Sequence, residues 1–186
     1  KMLSALSQGS MLHTRDGQLC DIILDRASLE ETYRAGKAAE DEVLRDYAAL
    51  TVAAADIRIA TRCGRVGKSL DFTERALAEC AELDTEALAR AALNGTEAVA
   101  EYLEKTAYAP AAEALRQSPA AFEKWCDDLI ISHIRPQKYN PFTLGPLAAY
   151  ILARRNEIKC VRMVLSCRQN SLPEEAVRER LREMYV

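Results

Sequence analysis

Apolar residues recur along the chain at intervals of three and four, and no stretch alternates apolar with polar positions for long. The pattern predicts helices throughout. A weakly amphipathic start over residues 2–12 breaks at Asp16-Gly17, and Ile22, Ile23, Ala27 and Tyr33 suit a short helix from Cys20 to about Ala35, closed by Gly36. Val43, Leu44, Tyr47, Leu50, Ala54, Ile57 and Thr61 then mark a long helix from about Ala39 to Arg65, its end loosened by Gly64 and Gly67. Ser69 and Asp71 are candidate caps for a helix through Leu77 to Cys80, and Asp84 for one reaching Leu93. Thr96 follows the Asn94-Gly95 turn as the cap of a helix to about Tyr108. Pro110 permits a start over Ala111–Arg116, and Ser118-Pro119 opens a helix to His133. Residues 135–144, with Pro136, Pro141 and the approach to Gly145-Pro146, read as loop.

The last segment, Gly145 to Val186, is the most informative. It predicts a helix of roughly six turns, a break, and a second helix opened by Leu172-Pro173-Glu174-Glu175. On a wheel of about 100° per residue, Leu147, Ile151, Val161 and Leu165 cluster around Ile158, with Tyr150 and Val164 widening the stripe. This stripe is the expected packing face. Arg154 and Glu157 lie inside it, three apart, and so are placed to pair as structural residues. Arg155, Lys159 and Arg162 form a separate basic row, either a solvated face or a docking surface for an acidic partner.

Shifting the chain by 101 residues sets Asp56-Ile57-Arg58 on Glu157-Ile158-Lys159, Leu50 on Ile151, Ala60 on Val161 and Cys63 on Val164. With a one-residue insertion Ser69-Leu70 meets Ser171-Leu172, and Asp25 meets Asp127 at a shift of 102. An internal repeat is expected, each copy a short helix with an Asp, then a long helix with a central carboxylate, then a capped helix. Asp56 has Ala53 where Arg154 stands in the other copy, so it needs a different partner.

Composition narrows the chemistry. Gly and Pro total only 13 of 186 residues and aromatics are few, as befits an all-α protein. The net charge is −3, divided into −6 over residues 1–144 and +3 over 145–186, which gives no electrostatic case for nucleic acid. The six cysteines show no C-x-x-C pair and no zinc spacing with histidine, and read as buried thiols of a reduced, cytoplasmic protein. There is no apolar run long enough to span a membrane and no signal peptide. His13 and His133 are the only histidines; Cys126 with His133, and Cys160 with Cys167, are each seven apart, but no four-ligand metal set follows. Gly64-Arg65-Val66-Gly67-Lys68-Ser69 echoes a phosphate loop, yet its spacing is too short and it ends a helix. No catalytic group, cofactor site or metal site is expected.

The residues Pro146-Leu147, Tyr150, Glu157-Ile158-Lys159, Val161-Arg162 and Val164-Leu165 precede Leu172-Pro173-Glu174-Glu175 and Arg178-Glu179-Arg180-Leu181. Before them stand Cys126-Asp127 and Lys138-Tyr139-Asn140-Pro141-Phe142. In order and spacing this resembles the C subunit of V-type (archaeal and bacterial A/V-type) ATPases and ATP synthases, called subunit d in eukaryotes. The resemblance is specific over 122–186, weaker over 20–70, and at the level of fold over 72–117. Cys160 and Ile59 stand where the family has Asn, so no role of that Asn carries over.

The resemblance implies an all-helical, funnel-shaped protein of three similar domains about a pseudo-threefold. This chain, opening in what reads as mid-helix, would be a fragment holding the last two, over 1–118 and 119–186. It implies a non-catalytic rotor adaptor, peripheral on the cytoplasmic side of the membrane, which joins the central stalk subunits to the proteolipid ring during proton or sodium transport. Two rival readings remain. One is a helical interaction adaptor unrelated to ATPases; the other is a helical-bundle metal-dependent enzyme built on Asp127, Asp128 and Glu157.

Overall fold

Every regular element among the residues that the computed structural model describes, 17–186, is a helix. The expected segment over 2–12, His13 and the Asp16 side of the first turn lie outside them. Helix α1 (Gly17–Ala38) and helix α2 (Glu42–Val66) make a hairpin. Asp41 caps α2 by accepting the Val43 N–H at 3.0 Å. Gly36 does not end α1. It lies inside the helix because α2 crosses so close that a side chain there would strike Ala48.

The glycines near the end of α2 likewise do more than loosen it. A Cβ at Gly64 would come 2.5 Å from the Ala92 carbonyl oxygen. Gly67, at φ +73°, closes α2 in the left-handed conformation, its N–H returning to the Cys63 and Gly64 carbonyls.

Helix α3 (Leu70–Ala76) is capped by Ser69 and stops short of the expected Cys80. The chain turns extended at Leu77 because the Ala78 N–H donates to Asp56 on α2 instead of continuing the helix. Helix α4 (Thr85–Leu93) starts at the Asp84 cap. Helix α5 (Thr96–Leu103) follows Gly95 at φ +97°, so Thr96 is its first residue rather than its cap, and it ends well before Tyr108. Helix α6 (Ala109–Gln117) carries Pro110 in its first turn, and Ser118 caps helix α7 (Pro119–Ile134). A 3-10 turn over Arg135–Tyr139 occupies part of the expected loop. Helix α8 (Gly145–Gln169) runs for 25 residues, and helix α9 (Glu174–Arg178) for five.

Two apolar clusters hold these helices together. The larger joins α2 to α4, α5, α6 and the first half of α7 through residues such as Ile57, Leu88, Val99, Leu103 and Phe122. The smaller joins the start of α2 and the end of α7 to α8, through Val43, Ile131, Ile134, Ala149, Leu152 and Ala153. Helix α7 therefore serves both.

The packing face of α8 is the reverse of the expected one. Leu147, Tyr150, Ile151, Ile158, Val161 and Leu165 are all between 51% and 62% exposed, while Ala149, Leu152, Ala153, Asn156, Cys160 and Cys167 are buried. Small residues on the buried side let α8 lie close against α7 and α2, which the bulkier stripe would prevent.

The tail also departs from expectation, since α9 is a single short turn. Residues 179–186 then run without helix back across α7 and α8. Asp128 accepts the Glu183 N–H at 2.6 Å and Asn156 donates to the Glu183 carbonyl at 2.9 Å. Arg135 holds the Glu183 carboxylate, and Tyr185 packs on the smaller cluster. The expected second helix does open after Pro173, but it is only five residues long and the strap continues from it.

Candidate functional site

The basic row predicted on α8 lines a cleft of about 440 Å³ between α2, α7 and α8. Spacings of four and three put Arg155, Lys159 and Arg162 on one side of α8, facing Tyr47 of α2 and Asp127 and Ile130 of α7. Arg155 Nη1 donates to the Tyr47 hydroxyl at 3.2 Å, and it has no ion-pair partner among the described residues. Lys159 Nζ stands 2.6 Å from Asp127 Oδ2. The same carboxylate oxygen accepts from Arg182 Nε of the strap at 2.9 Å, and this Arg182 is only 9% exposed. Asp127 therefore serves as a fixed anchor between two cations. Arg162 is exposed and has no ion-pair partner among the described residues.

Beside this row runs the exposed apolar ridge of Leu147, Tyr150, Ile151, Ile158, Val161 and Leu165. Arg154 and Glu157 pair with each other on the ridge's flank, on the outer surface rather than within a packed seam. The outer side of α8 is thus a strip of aliphatic surface edged by cations. Contiguous exposed apolar surface with a polar border is characteristic of interaction surfaces, with protein, membrane or ligand.

Asp56 occupies a different kind of place. It is wholly buried, accepts the Ala78 N–H at 2.9 Å, and lies 3.9 Å from the Cys80 sulfur. Burial pushes its carboxyl up to about 7, against the opposing pull of the Ala78 N–H and the Cys80 thiol. It ties α2 to the irregular segment after α3. The partner that the sequence left open is a backbone donor.

The carboxylates of the enzyme reading are each occupied by cations. Asp127 is held by Lys159 and Arg182, Asp128 by Lys124, and Glu157 by Arg154. No group of three or more His, Cys, Asp or Glu side chains is gathered for a metal among the described residues. All six cysteines are free thiols, five of them buried and Cys80 half-buried. The geometry suits recognition by charge and apolar contact.

Sequence reasoning missed Tyr47, Asp127 and Arg182 as members of this site. They come from α2, α7 and the strap, and no local spacing links them to α8. It found the row because all three cations share one helix.

The family profile of the ATP synthase (C/AC39) subunit matches residues 2–180. Against curated proteins and against solved structures the chain has no match. An all-helical chain matched over nearly its whole length by that profile belongs to the ATP synthase (C/AC39) subunit family, a family of V/A-type ATPase subunits.

Proposed function

We propose that the chain is a non-catalytic rotor adaptor of a V-type ATPase or ATP synthase. It couples the central stalk to the membrane proteolipid ring on the cytoplasmic side, where proton or sodium ions are moved. The units over 1–118 and 119–186 are, on this reading, two of a pseudo-threefold set of three. Family membership supports the reading. The observation that carries it is the outer face of α8, where the apolar ridge and the row of Arg155, Lys159 and Arg162 run side by side without cover. No helix among the described residues is long and apolar enough to cross a membrane, consistent with a peripheral attachment.

A rotor adaptor must transmit twist without yielding. Long helices in close-packed contact do this by spreading load over many small contacts, since packed interiors compress little. The ridge supplies apolar contact area to a stalk subunit and the cations fix its register and speed its arrival. Arg155 and Arg162 are the residues to reverse, because Lys159 also holds Asp127 within the fold. Arg155→Glu with Arg162→Glu in the full-length protein is expected to lower co-purification with stalk subunits at least tenfold and to uncouple ATP hydrolysis from ion pumping. The helical circular-dichroism signal should stay unchanged. Normal assembly and pumping in this variant would overturn the role given to the row.

A further inference from the structure

A second basic row, on α2, meets its own groove. Arg58, Arg62 and Arg65 follow one another at spacings of four and three, the spacing of Arg155, Lys159 and Arg162, but one helical turn out of the register of the 101-residue shift. They wall a groove of about 450 Å³ whose floor includes Leu115, Phe122 and the exposed Val66. Arg58 pairs with Glu123 of α7 just as Lys159 pairs with Asp127, and Glu123 and Asp127 are one turn apart on the same helix. The two rows therefore flank one face of α7, each pinned to it by a single carboxylate.

Many of the other surface arginines are neutralised within the chain. Arg26, Arg75, Arg90 and Arg178 each pair with a carboxylate four residues away, and Arg116 sits between Glu97 and Glu104. Arg62 and Arg65 have no ion-pair partner among the described residues, and their neighbours three and four positions away are Arg58, each other, Val66 and Ser69 among others, none of them acidic. Like charges at those spacings destabilise a helix, so the row costs α2 stability in isolation.

We propose that this groove is a second docking site, taking a helix of a partner protein that carries carboxylates along the edge of an apolar stripe. The arginines answer the carboxylates, and the exposed Val66 and Pro119 at the groove's rim answer the stripe. Nucleic acid fits less well, because the floor's aromatic ring, Phe122, is buried and stacked on Trp125 at 6.2 Å, leaving no face for a base. A lipid surface calls for cations on a protruding face, whereas these line a recess. The inference rests on the reading of the chain as an assembly subunit, but on a different helix from the one that carries that reading.

The test places a photo-crosslinking phenylalanine at Val66, and separately at Ile158 on the α8 ridge, in the full-length protein within the complex it co-purifies with. The Val66 position is expected to capture a segment of another subunit whose sequence shows an apolar stripe edged by Glu or Asp. Arg62→Glu with Arg65→Glu should reduce that capture at least tenfold while leaving capture at Ile158 unchanged. Capture of lipid, nucleic acid or this chain's own residues at Val66 would overturn the inference, as would no capture or insensitivity to the charge reversal. Capture at Ile158 without capture at Val66 would overturn this inference alone and leave the proposed function standing.

Discussion

Asp56 shows how one residue sets a pH dependence for the whole fold. Its carboxyl is buried without a cation in contact and is pushed up to about 7 from an ordinary 3.8, chiefly by burial. A raised carboxyl means that the folded state holds a proton which the unfolded state has released between those two values. Stability from this group is therefore complete below about 3.8, falls as pH rises, and is fully lost above about 7. Asp56→Asn keeps an acceptor for the Ala78 N–H and removes the charge. In urea melts, its stability relative to the parent should rise by roughly 2–4 kcal/mol between pH 4 and pH 8. A constant difference across that range would mean the carboxyl stays ionised in the fold. The sequence showed Asp56 on a long helix without a side-chain partner nearby. It could not show the partner, because a backbone N–H at Ala78 has no signature of its own until α3 is seen to stop early.

At the scale of helices, beginnings were more legible than crossings. Ser69, Asp84 and Ser118 cap where their chemistry predicts, because capping is decided within four residues. Which side of a helix is buried depends on its neighbours, and there the reading of α8 inverted. Large aliphatics at helical spacing look like a core stripe, yet Ala149, Ala153 and Cys160 give the closer approach and take the buried side. Gly64 makes the same point from α2. Gly64→Ala should cost roughly 1–3 kcal/mol by forcing α4 away at the Ala92 carbonyl, measured as a lower denaturant midpoint. Gly17, where an added Cβ meets nothing within 4 Å among the described residues, is the control and should tolerate alanine at no such cost. The strap offers a third measurement. Arg182→Ala leaves Asp127, 16% exposed, with Lys159 as its remaining cation, and should lower stability by roughly 1–2 kcal/mol while speeding proteolysis of the tail.

For the whole molecule, the distinctive property is how much apolar surface α8 leaves uncovered. Replacing Ile151, Ile158 and Leu165 together by Gln should change stability by less than about 1 kcal/mol, since none of the three is buried. The same variant should lose its place in the complex, seen as failure to co-purify with the other ATPase subunits. A large fall in thermal stability instead would mean that the ridge packs within this chain. Helix class and the family were legible because periodicity and local motif survive in a single sequence. Which face of α8 is buried was not, because an outward stripe and an inward one have the same spacing.

The thiols turn this architecture into its own instrument. Cys20 on α1, Cys63 on α2, Cys126 on α7, and Cys160 and Cys167 on α8 are all buried and none is bonded to another. Burial pushes the Cys126 thiol up to about 12, so it is almost wholly unreactive while its surroundings stay closed. Because all five are buried, each becomes alkylated only when the seam around it opens. An alkylating reagent followed by peptide mass spectrometry would record which seam opens and how often, with no label engineered into the chain.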